Sequence, residues 1–304
     1  MTVVEIKKQY PFLDVVKQVF KGYSNDKKFY AEDVCGQQFL IRVSDVAEFD
    51  KKRYEFEILQ KICGVGINCS KAIDIRICNE SKHVYMLLTW VDGADAREKL
   101  PQLSEKLQYQ LGIQAGQALQ KIHSLPAPCC TEPWTARFNR KTDDRIKRIL
   151  TCSVKSPHEK AILDFVEGNR YLFFDRPQTV QHGDYHCGNL VITTNNSIGV
   201  IDFNRAGYGD PFEEFERSIW DAELSPAFAK GKIDGYFDGK IPEIFFPLMR
   251  FYIVSGALAS LTWAIEHSDV DLHLRHVDMV MEWYDNLNQV VPIWNEANPK
   301  YGLY

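Results

Sequence analysis

The 304-residue chain has no C-x-x-C pair, no internal repeat and no low-complexity tract. It also lacks a run of ~20 uninterrupted apolar residues, the length that spans a bilayer. Its most apolar segment, Phe246 to Ile265, contains Arg250 and is closed by Glu266 and His267, so a buried helix is expected there and no membrane partner. The first residues, Met1-Thr-Val-Val-Glu-Ile-Lys-Lys, carry no apolar run behind a basic start. A secretory leader is therefore not expected, and the expected location is cytoplasmic. Eight cysteines are scattered without metal-ligand spacing, which favours reduced thiols over a disulfide or zinc framework. A net charge of −5 argues against nucleic acid as a partner.

What is present points to two domains, since the chain is about twice the usual ~150 residues. Residues 1–91 read as strands with one inserted helix. A Gly22-Tyr-Ser-Asn-Asp turn divides two short aromatic runs, Gln37 to Val43 follows as a strand, and His83 to Thr89 is another. Between them a helix is expected to start at Ser44 as N-cap and to end at Gly64-Val-Gly66. Residues 92–304 read as mostly helical, over 109–123, 137–150, 159–169, 244–266 and 273–291, with two short strands at Leu190-Val-Ile and Gly199-Val-Ile-Asp-Phe. A strand-rich lobe at 1–91 and a helical lobe at 92–304 would leave a cleft between them, the usual place for a ligand. Charge is uneven: residues 184–304 hold eight Lys and Arg against eighteen Asp and Glu, a net of −10.

The densest set of polar functional residues is His182-Gly-Asp-Tyr-His-Cys-Gly-Asn189, followed by an apolar hairpin and Ile201-Asp-Phe. Asp184 lies five residues before Asn189 and eighteen before Asp202, so a hairpin would return Asp202 beside the first loop. Phosphoryl transfer needs such a set: one carboxylate to orient and accept the proton of an attacking hydroxyl, and hard oxygen donors for Mg²⁺ on the nucleotide phosphates. A zinc hydrolase reading of His182 and His186 with Asp184 and Asp202 suits a regular helix, which Gly183 and Gly188 break.

The H-G-D-x-H-x-G-N motif with downstream I-D-F resembles the aminoglycoside phosphotransferase and choline kinase branch of the protein-kinase-like fold. The likeness extends to the turn Gly22–Lys28 in the nucleotide-loop position, the Leu40-Ile-Arg strand, a Glu-bearing helix, the hinge Trp90-Val-Asp-Gly and Leu119-x-x-Ile-His123. It implies an α+β, bilobal fold. It also implies Asp184 as catalytic base and Asn189 and Asp202 as Mg²⁺ ligands. Ser24, Lys28, Arg42 and Glu55 would serve the nucleotide, with Thr89 and Val91 meeting the adenine through the hinge backbone. His182 and Asp210 would brace the catalytic loop.

Two departures stand out. Arg42 occupies the strand position where the family usually carries lysine, so either Arg42 holds the phosphates or Lys28 shares the task. Asp202-Phe-Asn replaces the commoner Asp-Phe-Gly. Glu57 is the alternative to Glu55 if the helix register shifts. The expected reaction is transfer of the γ-phosphoryl group of ATP or GTP to a hydroxyl of a small molecule. No A-P-E segment follows Asp202, which argues against a protein acceptor. The acidic last third favours a cationic acceptor such as an aminoglycoside or other antibiotic, with Asp221, Glu223 and Glu266 as lining candidates; antibiotic resistance and a metabolic role both fit the sequence. The alternatives are a choline, homoserine or sugar kinase, and a nucleotide-binding pseudokinase.

Overall fold

The computed structural model describes residues 3–20, 26–78, 82–267 and 269–296. In the first part of the chain the elements are α1 (Val3–Gln9), β1 (Leu13–Val19), β2 (Lys27–Asp33), β3 (Gln38–Asp45), α2 (Phe49–Cys63), β4 (Ala72–Ile77) and β5 (His83–Thr89). Then come β6 (Ala94–Asp95), α3 (Ala96–Lys99), α4 (Glu105–His123), α5 (Trp134–Thr151), α6 (Glu159–Gly168), β7 (Thr179–Gln181), β8 (Leu190–Ile192) and β9 (Ile198–Val200). The chain continues through β10 (Gly207–Gly209), α7 (Ser218–Leu224), α8 (Pro226–Phe237), α9 (Phe245–His267), α10 (Val270–Trp283) and α11 (Ile293–Glu296).

Two compact units result: Met1–Ala94 with Val191–Gly207, and Asp95–Leu190 with Tyr208–Tyr304. The division at residue 91 expected from sequence thus gains a second crossing. The hairpin of β8 and β9 is apolar, with Val191, Ile192, Ile198 and Val200 all buried. Its Val200 amide donates to the Asn68 carbonyl at 2.9 Å, and Gly199 lies against Val91, so this stretch and the Asp202 that follows it belong to the first unit.

In the first unit an antiparallel sheet of order β1-β2-β3-β5-β4 carries the core. Strand periodicity of two sends Phe39, Ile41 and Val43 of β3 into that core, joined by Phe29, Ala31, Tyr85 and Leu87. The same period places Arg42 and Ser44 on the opposite face, and the β2–β3 register sets Lys28 across from Arg42. Ser44 is not a helix cap. β3 runs on to Asp45, which caps a 3-10 turn before α2 begins at Phe49.

In the second unit, α4 and α8 meet backbone to backbone. A β-carbon on Gly116 would overlap the Lys232 carbonyl, and one on Gly235 would overlap the Ile113 carbonyl, so only glycine permits this approach. Long α9 is apolar and long enough to cross a membrane by composition, yet Leu248, Phe251, Tyr252, Ile253 and Val254 are buried against neighbouring elements. The last expected helix is shorter than its pattern, ending at Trp283.

Candidate active site

Each unit assembles its own set of polar residues. In the first, the Asp26 carboxylate is the hub. It accepts from Arg42 Nε at 2.9 Å, from Arg42 Nη2, from Lys52 Nζ at 2.9 Å and from Ser44 Oγ at 2.8 Å. Burial alone would push the Asp26 carboxyl up, but Arg42 and Lys52 outweigh it and hold it at about 2. Asp202 stands beside this hub, with Lys28 Nζ at 3.0 Å and Arg42 Nη1 at 3.7 Å. Its backbone is left-handed, φ 63°, a conformation that costs a non-glycine residue energy and is concentrated at functional sites.

The helix register resolves to Glu55 on the buried face of α2 and Glu57 on the exposed one. Glu55 is paired with Lys52, one turn earlier on its own helix, at 3.2 Å rather than with Arg42, which is taken by Asp26. Its Oε1 is buried without a hydrogen bond. Burial therefore raises the Glu55 carboxyl despite Lys52 and Arg42. Thr89 donates its amide to the Lys71 carbonyl and accepts the Lys71 amide on its hydroxyl, and Val91 is buried. Ser24 lies outside the described residues.

In the second unit the chain from β7 to β8 forms the loop that holds Asp184 and Asn189. Gly183 has φ 83°, which only glycine adopts freely, and this turns the loop so that the Asp184 amide donates to Nδ1 of fully buried His182 at 3.2 Å. Asn189 donates its amide nitrogen to the Asp184 carbonyl at 2.8 Å and to the Asp184 carboxylate at 3.2 Å. Arg217 Nε lies 3.2 Å from the other carboxylate oxygen.

Two buried acids hold this loop from behind. Glu214 accepts the His182 amide at 2.6 Å and the Gly183 amide at 2.8 Å. Asp221 accepts the Cys187 amide at 2.7 Å and is ion-paired with fully buried Lys232. Asp221 therefore cannot line an acceptor site as expected from sequence: the residue is buried, with one carboxylate oxygen on the loop amide and the other on Lys232. Asp210, also fully buried, accepts Arg176 at 2.9 Å, Tyr252 at 2.8 Å and the Phe212 amide at 3.0 Å, and so anchors the 3-10 turn Pro211–Arg217 that carries Glu214.

The other two expected acceptor residues are accessible. Glu223 is partly exposed, with Oε2 2.9 Å from His276 Nε2. Glu266 is exposed beside His267. His273 and His276 of α10 are both buried, and Trp220 packs edge-on against His276 with centroids 4.6 Å apart. Asp26, Lys52, Glu214 and Arg217 were missed by sequence reasoning. Only Lys52 left a local signal, its spacing of three residues from Glu55.

Each unit by itself offers a hard oxygen of the kind a divalent cation takes: the Asp202 carboxylate in the first, and in the second the Asn189 amide oxygen, since the Asn189 nitrogen is bonded to Asp184. A carboxylate fixed in a glycine-turned loop in one unit, and a carboxylate beside clustered cations in the other, are the kinds of groups that phosphoryl transfer uses.

The model of the phosphotransferase enzyme family that includes the aminoglycoside phosphotransferases matches residues 15–245, and the chain belongs to that family. An aminoglycoside 3'-phosphotransferase from Niallia circulans is 26% identical over 208 residues, covering 65% of this chain and 75% of that protein. Among solved structures, an aminoglycoside phosphotransferase in complex with ADP and hygromycin B superposes with TM-score 0.67 at 18% identity, over 91% of this chain and 96% of that one. An amicoumacin kinase solved with AMP-PNP and Ca²⁺ gives 0.67 at 12% identity, covering 98% of each chain. A choline/ethanolamine kinase family protein from Mesorhizobium loti gives 0.66 at 14%, over 95% and 98%. The fold is protein-kinase-like, and the protein is a small-molecule phosphotransferase.

Proposed function

We propose that this phosphotransferase moves the γ-phosphoryl group of ATP or GTP to a hydroxyl of a small cationic acceptor of the aminoglycoside type, in the cytoplasm where these nucleotides are available. The observation that carries the reading is the Asp184 carboxylate, fixed by Asn189 on one oxygen and Arg217 on the other. A carboxylate held in this way can orient an acceptor hydroxyl and take its proton as the oxygen attacks phosphorus. Asn189 Oδ1 and the Asp202 carboxylate would hold Mg²⁺, which supplies charge neutralisation on the phosphates. Lys28 and Arg42, facing each other across β2 and β3, would meet phosphate oxygens, and the backbone at Thr89 and Val91 would meet the base. Glu214, Asp221 and Asp210 hold the loop and its supporting turn in place.

A cationic acceptor is supported by the −10 charge of residues 184–304 and by the accessible carboxylates Glu223 and Glu266. The aromatic side chain of Trp263, partly exposed on α9, adds a face suited to a cation. The test is a phosphate-transfer screen with both nucleotides against aminoglycosides, choline, and neutral sugars and macrolides. Phosphorylation of aminoglycosides that is lost in Asp184→Ala, with nucleotide affinity retained, is the expected result. Turnover of Asp184→Ala at the parent rate overturns the base assignment. Phosphorylation of neutral acceptors alone overturns the cationic one.

A further inference from the structure

Cys63 ends α2, and Cys69 follows a turn through Gly66, whose φ is 73°. The turn brings the two sulfurs to 4.0 Å. Cys63 is partly exposed and Cys69 is buried, so Cys63 is the more accessible of the two. The two also differ in acidity. The hydrogen bond with Cys69 outweighs burial and lowers the Cys63 thiol to about 6, whereas that same bond and burial push Cys69 up. A thiolate with a resolving thiol in contact is the arrangement of a redox-responsive pair. Of the six other cysteines, Cys35, Cys129 and Cys130 are exposed, Cys152 is partly exposed, and Cys78 and Cys187 are buried.

The backbone around Cys69 is tied to the segment that leads into Asp202. Cys69 forms a parallel bridge with Val200, the Ser70 amide donates to the Val200 carbonyl at 3.4 Å, and the Val200 amide donates to Asn68 at 2.9 Å. A disulfide needs the sulfurs at about 2.05 Å, so closing it brings them about 2 Å nearer and fixes the Cys69 side chain, and with it the backbone bridged to Val200, to the end of α2.

We propose that Cys63 and Cys69 are a modification site for hydrogen peroxide, at which a reversible disulfide forms and weakens nucleotide binding through Val200 and Asp202. The Cys63 thiolate attacks one peroxide oxygen. The O–O bond breaks, and the departing hydroxide takes up a proton to become water, leaving Cys63 as the sulfenic acid. The Cys69 sulfur then attacks the Cys63 sulfur. The S–O bond breaks, the departing hydroxide takes the Cys69 proton, and a second water is released. Two thiols lose two electrons and one peroxide gains them. The effect on nucleotide rests on the reading of Asp202 as a nucleotide-site residue, whereas the disulfide itself does not.

The experiment treats the reduced full-length chain with hydrogen peroxide, blocks remaining thiols with an alkylating agent and maps tryptic peptides. Both cysteines fall on one peptide, Ile62 to Lys71. The expected result is that this peptide loses two hydrogen masses and resists alkylation until a thiol reductant is added. In Cys69→Ala the sulfenic acid at Cys63 persists and is trapped by dimedone. A peptide that stays fully alkylatable while Cys35, Cys129 or Cys130 oxidises overturns the proposal. Fluorescent-nucleotide titration of the oxidised parent is expected to show binding weakened by about fivefold or more, the lower end of ordinary coupling between sites, and Cys63→Ser is expected to be immune. An oxidised peptide with unchanged nucleotide affinity overturns the coupling to Asp202. The kinase assignment is judged separately, by turnover of the reduced protein.

Discussion

Asp26 grips the Arg42 guanidinium through two of its nitrogens, so the arginine standing at the usual lysine position is already engaged inside its own unit. Lys28, opposite Arg42 in the sheet, reaches Asp202 instead. Arg42 thus carries a structural load that Lys28 does not, and if both serve phosphate as proposed, their removal predicts different phenotypes.

Arg42→Ala leaves the buried Asp26 carboxylate with Lys52 and Ser44 alone. Breaking one partner out of a buried ion network costs about 3 kcal/mol. A fall of that order in the urea-derived unfolding free energy is expected, with partial recovery in Arg42→Lys, whose ammonium keeps the charge but loses the fork.

Lys28→Ala leaves the Asp26 network intact. Its thermal midpoint is expected to stay near the parent value while KM for nucleotide rises by about tenfold, equivalent to about 1.4 kcal/mol of lost binding. Steady-state kinetics at saturating acceptor measure this directly. An unchanged KM together with a large stability loss would reverse the two duties.

Acid should expose the Asp26 network. Its folded value of about 2 lies below the unfolded carboxylate range, so its contribution is fully present above roughly pH 4. That contribution fades as pH falls through 2. A shift of this size corresponds to about 2 kcal/mol. Glu55 works in the opposite sense, because its raised value makes the folded state hold a proton more firmly and gain stability as pH falls. Urea midpoints measured from neutral pH downward should lose part of their acid slope in Asp26→Asn and steepen in Glu55→Gln.

Glu214→Gln replaces an acceptor of two loop amides with a side chain that offers only one acceptor oxygen. The loop should lose its fixed position, so kcat is expected to fall by about tenfold or more while nucleotide affinity changes little. Equal losses in kcat and nucleotide affinity would point to general unfolding instead.

The turn that brings Asp184 and Asn189 together was legible because its information is local. Gly183, Asp184 and Asn189 are close in sequence, and the turn they need is written in their own backbone preferences. The Arg42 and Ser44 side of β3 likewise follows from alternation. What was illegible depends on chain segments that meet only on folding. Asp26 finds Lys52 across the sheet and helix, and Glu214 finds His182 from a turn more than thirty residues downstream. Asp221 misled for the same reason. An acid in a strongly acidic stretch reads as surface until its buried lysine, eleven residues away on the next helix, is seen. The second crossing of the chain between units was hidden because Leu190 to Val200 reads only as a hairpin, without a sign of which unit it joins.

The bare seam between α4 and α8 carries a liability remote from any reacting atom. Lys232 rides on α8, and through Asp221 it governs the Cys187 amide in the loop of Asp184. A methyl group at Gly116 would wedge α8 outward and take Lys232 with it. Such a variant would look inactive in an assay although every reacting side chain was still present, and its defect would be mechanical in origin.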